Sequence, residues 1–382
     1  MTEKLFTPGP LSIAPEVRQA MQRDVGSRTP EMEMLTARLC RELAEVADCG
    51  GAYAVVPLQG SGTFAVEAML SSLVRDTDKV LVAANGAYGE RMADMCRIHG
   101  LRHTVLALEA TLPVAAADID AALAADAAIT HVAVVHVETG LGLLNDVDAI
   151  AQVAARRGVR LLVDAMSGFG ALPLPFAGGA IEGVAASANK CLHGAPGLAF
   201  VVGRRARLED AAAPARTLSL DLAAQHRAFA ASAQWRFTPP THLILALLQA
   251  LAMYRAEGGR EARLARYRAI GGIIIPGFAE LGIVPLVAEP YRAPVIATFV
   301  LPFGAEVLPA ETLCARLAER GLVLYRGLAG SRNCFRVGFI GELAESDARR
   351  LVAEMRVLLA ELGVRRATTH ARGESSDASP VL

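Results

Sequence analysis

The sequence has little of the features that mark several protein classes. Aromatic residues make up only 5% of its 382 residues, and no block of lysine and arginine alternates with them. The formal net charge is −1, so the chain carries no electrostatic footprint for a nucleic acid. Charge, glycine or proline interrupts each long apolar stretch before it could span a bilayer. We therefore expect neither a nucleic-acid partner nor a membrane partner.

Cysteine is also sparse, and its spacing excludes further classes. The six cysteines form no C-x-x-C pair and no cluster with histidine that would suggest zinc. They are Cys40, Cys49, Cys96, Cys191, Cys314 and Cys334. The first ten residues lack the basic start and apolar run of a signal peptide. These features predict a soluble protein of the reducing cytoplasm, without a metal site.

The chain is instead rich in apolar residues. Hydrophobic residues make up 53% of the sequence and charged residues 20%, which is typical of a well-buried globular enzyme. Because a single core stops growing at roughly 250–300 residues, we expect two domains.

Strand and helix patterns alternate along the first half of the chain. Apolar strand candidates lie at 53–58, 79–84, 103–108, 131–137 and 160–164. This order is typical of an α/β fold with a mostly parallel, doubly wound sheet. Ligands of such sheets bind beyond the carboxyl ends of the strands, and polar residues follow several of these strands.

A glycine-rich turn follows the first of these strands and precedes a helical pattern. Gly60-Ser61-Gly62-Thr63 places a helix N-terminus where backbone N–H groups and the helix dipole favour an anion such as phosphate. The turn lacks the Gly-Lys-Ser/Thr of a P-loop, and Ala65 breaks the G-x-G-x-x-G spacing. The alternative is a tight turn with a simple Ser or Thr cap.

Two charged residues follow or end buried strand patterns. Asp164 ends the strand candidate at 160–164, and Lys190 follows an apolar segment of small residues. Each is costly to bury without a partner. Asp164 could instead cap a helix or accept backbone N–H groups, and Lys190 could reach solvent. As a pair at strand ends, they are expected to face one cleft together with Tyr88 and the glycine-rich turn.

This combination suits pyridoxal 5'-phosphate (PLP). A lysine would form the imine, a carboxylate would keep the pyridine nitrogen protonated, a helix N-terminus would bind the phosphate, and a flat side chain would stack on the ring. His136 and His193 are near in sequence, but a lone histidine on an apolar strand is more often a hydrogen-bonded core residue. A nucleotide-binding module without activity is the non-enzyme alternative.

Several short segments carry a family resemblance. They are Leu58-Gln-Gly-Ser-Gly62, Asn85-Gly-Ala-Tyr-Gly89, Val163-Asp-Ala-Met-Ser167, Ser187-Ala-Asn-Lys-Cys191, Leu218-Ser-Leu-Asp-Leu222, Trp235-Arg-Phe-Thr238 and Cys334-Phe-Arg-Val-Gly338. Together they resemble the class V, fold-type I PLP-dependent aminotransferases, in particular the 2-aminoethylphosphonate:pyruvate transaminases. The resemblance implies a mostly parallel seven-stranded sheet in a large domain, a smaller α+β C-terminal domain, and a homodimer with shared active sites.

The resemblance also implies roles for individual residues. Lys190 would be the imine lysine, Asp164 would contact the pyridine nitrogen, and Tyr88 would lie on the ring face. Ser61, Gly62 and Thr63 would bind the phosphate, and Thr139 and Asn189 would bind the ring substituents. Thr238 would reach the phosphate of the neighbouring subunit, and Arg336 would hold the acidic group of the substrate.

The implied reaction moves an amino group from 2-aminoethylphosphonate, or a close amino-phosphonate, to pyruvate, giving phosphonoacetaldehyde and alanine. Three departures from that pattern put the donor in doubt. Gly140-Leu141-Gly142 replaces a hydroxyl-rich segment, and Tyr325-Arg-Gly-Leu328 replaces a Pro-Gly-Lys pattern. Gly26–Glu31 looks more like the alanine:glyoxylate or serine:glyoxylate enzymes. Alternatives are therefore a transaminase of that type, or a PLP-dependent lyase on an amino-phosphonate. Arg28, Arg326 and Arg332 could supply charge for a phosphonate.

The expected domain boundaries follow from the change in element order after about residue 254. Residues 1–15 are expected to be an N-terminal arm that joins the small domain, and 16–253 the large PLP-binding domain. Residues 254–366 would form the small C-terminal domain, and 367–382, rich in Ser, Thr, Asp and Gly, a disordered tail.

Overall fold

The computed structural model describes residues 3–210, 216–328, 330 and 332–364. Its helices are α1 (Pro15–Ala20), α2 (Pro30–Ala47), α3 (Gly62–Leu73), α4 (Ala87–Ile98), α5 (Ala116–Ala125), α6 (Val147–Arg157), α7 (Arg205–Leu208), α8 (Leu222–Ser232), α9 (Thr241–Glu257), α10 (Gly259–Ala279), α11 (Ala310–Glu319) and α12 (Glu345–Glu361). The predicted tail at 367–382 lies outside the described residues.

The strands form one large sheet and three smaller ones. They are β1 (Lys4–Leu5), β2 (Tyr53–Gln59), β3 (Val80–Ala84), β4 (His103–Ala107), β5 (His131–Val135), β6 (Val137–Glu138), β7 (Leu143–Leu144), β8 (Arg160–Asp164), β9 (Ile181–Ser187), β10 (Leu198–Arg204), β11 (Val284–Pro285), β12 (Ile296–Val300), β13 (Leu322–Val323), β14 (Tyr325–Arg326) and β15 (Cys334–Gly338).

The large sheet has seven strands in the order β2-β10-β9-β8-β5-β3-β4. β10 runs antiparallel to both of its neighbours, and the remaining neighbouring pairs are parallel. Both faces are buried, since β3, β5 and β9 are buried along their whole length. The predicted α/β fold with a mostly parallel seven-stranded sheet is confirmed.

Local sequence explains the ends of the flanking helices. Thr29 accepts the Met32 N–H at the start of α2, where Pro30 occupies the first turn. Asp146 accepts the Ala149 N–H at the start of α6. That helix ends at Gly158, whose φ of 67° lies in the left-handed region that favours glycine.

The strand expected at 131–137 ends earlier than predicted. β5 stops at Val135, and the His136 N–H bonds to the Asp164 carbonyl oxygen at 2.8 Å. β6 then turns back on β7 through the 140–142 segment, because the N–H groups of Leu141 and Gly142 both bond to the Glu138 carbonyl oxygen. A period-two apolar pattern cannot reveal such a break.

The C-terminal part contains an antiparallel sheet in the order β11-β12-β15-β14 with its own apolar core. β1 pairs in parallel with β13, and the Gly338 N–H bonds to the Phe6 carbonyl oxygen at 2.9 Å. The N-terminal segment therefore lies along this sheet, although the exact domain limits stay a prediction. Among the described residues, no helix is both long enough and apolar enough to cross a membrane.

Candidate active site

The ends of the large-sheet strands converge on one cavity of about 330 Å³, called here the Lys190 cavity. It is lined by eight of the ten residues predicted for the site: Ser61, Gly62, Thr63, Tyr88, Thr139, Asp164, Asn189 and Lys190. They follow β2, β3, β6, β8 and β9, as expected for a ligand site at the carboxyl edge of a parallel sheet.

Lys190 lies three residues after the end of β9, and its amine donates a hydrogen bond to the Pro8 carbonyl oxygen. Burial lowers the pKa of this amine from 10.5 to about 8. The Cys191 thiol and the Asp164 carboxyl oppose the shift, and the Arg336 charge adds to it. A lowered pKa increases the fraction of neutral amine, which is the nucleophilic form.

Asp164 is the last residue of β8 and is buried. One carboxylate oxygen accepts the Met166 N–H at 3.0 Å. Burial raises the pKa of Asp164 from 3.8 to about 6, and the Met166 N–H, Lys190 and Arg91 limit the rise. Both sequence interpretations therefore apply: the carboxyl accepts a backbone N–H and also lies within the field of Lys190.

The glycine-rich turn begins α3, with Ser61 as the N-cap residue. Ser61 has extended backbone and forms no side-chain cap hydrogen bond, which contradicts the simple-cap alternative. A Cβ at Gly62 would overlap the Met166 side chain, and Thr63 Oγ1 accepts from Arg91 Nη1 at 3.4 Å. The turn thus presents a helix N-terminus, with an arginine beside it, to the cavity.

Tyr88 is the second residue of α4, and its ring lines the Lys190 cavity. The Arg91 guanidinium carbon lies 4.8 Å from the ring centroid, within the range of a cation–π contact. Thr139, which also lines the cavity, shares a hydrogen bond of 2.7 Å between its Oγ1 and Ser167 Oγ. The cavity lining therefore includes an aromatic side chain and a hydroxyl group.

Two predicted residues lie outside the lining of this cavity. Thr238 is exposed and lines a neighbouring cavity of about 510 Å³, which shares Gly60 with the first. Arg336 is buried on β15, where its Nε donates to the Arg326 carbonyl oxygen at 3.1 Å. Its charge lies near enough to Lys190 to lower the pKa of that amine further.

Sequence reasoning assigned no role to five residues that contribute to the site. Met166 packs against Gly62, and Arg91 contacts both Thr63 and Tyr88. Pro8 and Gly9 lie against the Lys190 side chain. A Cβ built on Gly9 would lie 3.0 Å from Lys190 Cδ. Glu138 accepts the backbone N–H of Tyr88. Only Glu138 left a signal, a carboxylate directly after an apolar strand pattern.

Arg28 and His193, two other residues that could supply chemistry, are hydrogen-bonded elsewhere. Arg28 Nη1 donates to Gln234 Oε1 at 3.0 Å and to the Trp235 carbonyl oxygen at 2.7 Å. His193 Nε2 is hydrogen-bonded to the Tyr267 hydroxyl at 2.7 Å, as expected of a core histidine. His136 differs, because its buried Nδ1 has no hydrogen-bond partner; burial lowers its pKa to about 4.

The sequence is similar to a known family and to several of its members. The family model for aminotransferase class V matches residues 18–331. The chain belongs to the class V aminotransferase family. A relative from Burkholderia thailandensis is 45% identical over 363 residues, covering 94% of this chain and 97% of the relative. One from Pseudomonas aeruginosa is 42% identical over 360 residues, with the same coverage. Both are named 2-aminoethylphosphonate--pyruvate transaminase.

Solved structures of aminotransferases have the same fold. An aspartate aminotransferase of subgroup IV from Thermus thermophilus superposes with a TM-score of 0.83 at 26% identity, covering 94% of this chain and all of that one. An alanine–glyoxylate aminotransferase from Nostoc gives 0.86 at 22% identity, with coverage of 94% and 96%. The fold-type I assignment made from the sequence is confirmed.

Family membership makes this chain a PLP-dependent aminotransferase, as predicted. The Lys190 cavity fits that cofactor. It offers one lysine of lowered pKa, one buried carboxyl group, a helix N-terminus free of a side-chain cap, and an aromatic ring. The chain therefore places together the kinds of chemical group that this cofactor is expected to contact.

Proposed function

We propose that this aminotransferase moves the amino group of 2-aminoethylphosphonate to pyruvate, giving phosphonoacetaldehyde and alanine. The observation that carries the proposal is the identity of 42–45% over 94% of the chain with relatives that bear this activity in their names. Likeness to the glyoxylate enzymes is limited to the fold, at 20–22% identity.

The site residues support the chemistry of transamination. PLP, when bound, supplies a conjugated ring that withdraws electrons from the carbon bearing the transferred nitrogen. Lys190 would hold the cofactor through its amine, and the same amine, once displaced, would move the proton from the donor carbon. A pKa of about 8 suits both tasks near neutral pH. Asp164 would hold the proton of the cofactor's ring nitrogen.

Other residues would orient the cofactor and the substrates. The N-terminus of α3 at 61–63 would bind the phosphate, and Tyr88 would cover one ring face. Thr139 and Asn189 would bind ring substituents. Arg336 would grip the carboxylate of pyruvate through a bidentate pair, because its guanidinium is fixed by the Arg326 carbonyl and its charge acts on Lys190.

We also propose a homodimer in which each subunit completes the active site of the other. Phe64, Leu218 and Phe237 are large apolar residues that remain 47–73% exposed. Phe64 and Phe237 line the neighbouring cavity together with Thr238. A second copy docked there would bury this patch and bring its Thr238 toward the phosphate turn.

Six free cysteines, five of them buried, support a reducing cytoplasm as the location.

A screen of amino donors and acceptors tests the proposed reaction. Purified enzyme loaded with PLP is incubated with 2-aminoethylphosphonate, alanine or serine as donor, and with pyruvate or glyoxylate as acceptor, while alanine, glycine, aldehyde and ammonia are measured. We expect alanine and an aldehyde in equal amounts from 2-aminoethylphosphonate and pyruvate. Glycine formation at a higher kcat/KM would favour a glyoxylate-dependent enzyme, and ammonia without alanine would indicate a lyase.

A further inference from the structure

Glu138 is a fully buried carboxylic acid beside the Lys190 cavity to which no role has been given above. It ends β6, and one of its carboxylate oxygens, Oε2, accepts the backbone N–H of Tyr88 at 3.2 Å. Among the described residues, the other oxygen, Oε1, has no hydrogen-bond partner of good geometry, although the Gly140 backbone N–H lies close enough to the carboxyl group to lower its pKa. Burying a carboxyl group with one poorly paired oxygen costs folding free energy, so the position of Glu138 requires an explanation.

The contact with Tyr88 is that of a helix cap made by a distant residue. α4 begins after Gly86, which has no side chain to cap it. Tyr88 and Gly89 are the second and third residues of α4, the positions whose N–H groups an N-cap side chain normally binds. Both of these N–H groups lie close enough to Glu138 to lower its pKa. The carboxyl group also lies at the positive end of the helix dipole.

The backbone around Glu138 is shaped to admit it. A Cβ on Gly86 would lie 2.5 Å from Glu138 Cγ and Cδ, so a side chain at position 86 would displace the carboxyl group. Gly86 has a φ of 173°, which any residue adopts, so its backbone does not itself require glycine. The close approach of the Glu138 side chain therefore explains why position 86 is occupied by glycine.

The first turn of α4 carries the groups that face the cofactor. Tyr88 lines the cavity, and one turn later Arg91 contacts the Tyr88 ring and Thr63 of the phosphate turn. Fixing the start of α4 therefore fixes the aromatic wall and the arginine together. We propose that Glu138 is a positioning residue, which caps α4 from across the sheet and so holds Tyr88 and Arg91 in place for PLP. The proposal rests on the family assignment and not on the identity of the amino donor.

Amide hydrogen exchange of the cofactor-free protein tests the cap directly. In Glu138→Ala, we expect the peptide that covers 86–91 to exchange roughly five to ten times faster, the size of effect that follows loss of a helix cap. PLP affinity, measured by equilibrium dialysis, should fall by a similar factor. Glu138→Gln keeps an acceptor oxygen in the same place and should restore most of both properties.

Two further variants separate positioning from general destabilisation. Glu182→Gln alters another buried glutamate, at the opposite end of β9 from the cavity, and should leave PLP affinity unchanged. Gly86→Ala keeps Glu138 but displaces it, so it should reproduce the faster exchange even if Glu138→Ala does not fold. Wild-type exchange at 86–91 in both Glu138→Ala and Gly86→Ala would overturn the proposal. An equal loss of PLP affinity in Glu182→Gln would overturn it as well.

Discussion

The poorly paired Oε1 of Glu138 gives a specific prediction for Gly140. A Cβ built on Gly140 lies 3.3 Å from this oxygen and 3.7 Å from Leu328 Cβ, and Gly140 does not have a left-handed φ. This distance is shorter than a usual Cβ contact, so the Glu138 carboxyl group must shift by a few tenths of an ångström to admit Gly140→Ser. The substitution would then place a hydroxyl donor next to an oxygen that lacks a well-aligned one among the described residues. We expect the cofactor-free Gly140→Ser protein to be more stable than its matched control Gly140→Ala, which carries the same Cβ without the hydroxyl group.

The expected size follows from the ionisation of Glu138. Burial raises its pKa from 4.5 to about 7. A shift of this size means that ionisation of Glu138 lowers the free energy of unfolding by about 3 kcal/mol. Because the folded-state pKa is raised, the protein has its full stability below about pH 4.5 and loses this amount as the pH rises through about 7. A hydroxyl donor to the charged form should recover about 1–2 kcal/mol.

Thermal unfolding of the two cofactor-free variants at pH 8.5 and pH 5 is the assay. At pH 8.5, Gly140→Ser should unfold about 2–4 °C above Gly140→Ala, given about 2 °C per kcal/mol for a large chain. At pH 5, where Glu138 is protonated, the difference should shrink by at least half. Both variants lose the backbone freedom of glycine, so that effect cancels. Equal unfolding temperatures of the two variants at pH 8.5 would refute the inference that Oε1 lacks a well-aligned hydrogen-bond donor.

Three further predictions concern the cavity itself. Lys190→Ala should abolish the borohydride-sensitive absorbance of the bound cofactor and lower transamination by roughly 10²–10⁴-fold; full turnover in this variant would contradict its role. Arg336→Lys should raise the KM for pyruvate roughly tenfold while the unfolding temperature stays within a degree or so, because a bidentate pair is lost; an unchanged KM would remove Arg336 from the acceptor site. Gly62→Ala should weaken PLP binding by displacing Met166, and Met166→Ala in the same chain should restore about 1 kcal/mol in a double-mutant cycle. Additive effects in that cycle would mean that the two residues are not in contact.

The sequence was sufficient to predict several buried strands of the large sheet, and hence part of the site. Alternating apolar patterns placed Asp164 and Lys190 after buried strands, and the parallel sheet brings those strand ends to one edge. The Gly-Ser-Gly turn was correctly read as the start of a helix at Gly62. These features depend on local periodicity, which a single sequence displays.

Contacts between distant segments could not be predicted in this way. Pro8 meets Lys190 across 182 positions, and Glu138 meets Tyr88 across 50. Neither Pro8 nor Glu138 carries a local signal for its partner, since both contacts arise from the order in which strands enter the sheets. The break after Val135 was missed for a similar reason, because it depends on pairing between β6 and β7.

The shifted pKa values of the site share one physical cause, and it connects stability with function. Burial raises the pKa of Asp164 to about 6 and that of Glu138 to about 7, and it lowers that of Lys190 to about 8. Between pH 7 and 8 all three groups are thus mostly charged, so the folded chain bears their combined desolvation in this window. Protonation relieves the carboxyl groups below it, and deprotonation relieves Lys190 above it. These three groups are therefore least favourable to the stability of the cofactor-free protein at neutral pH.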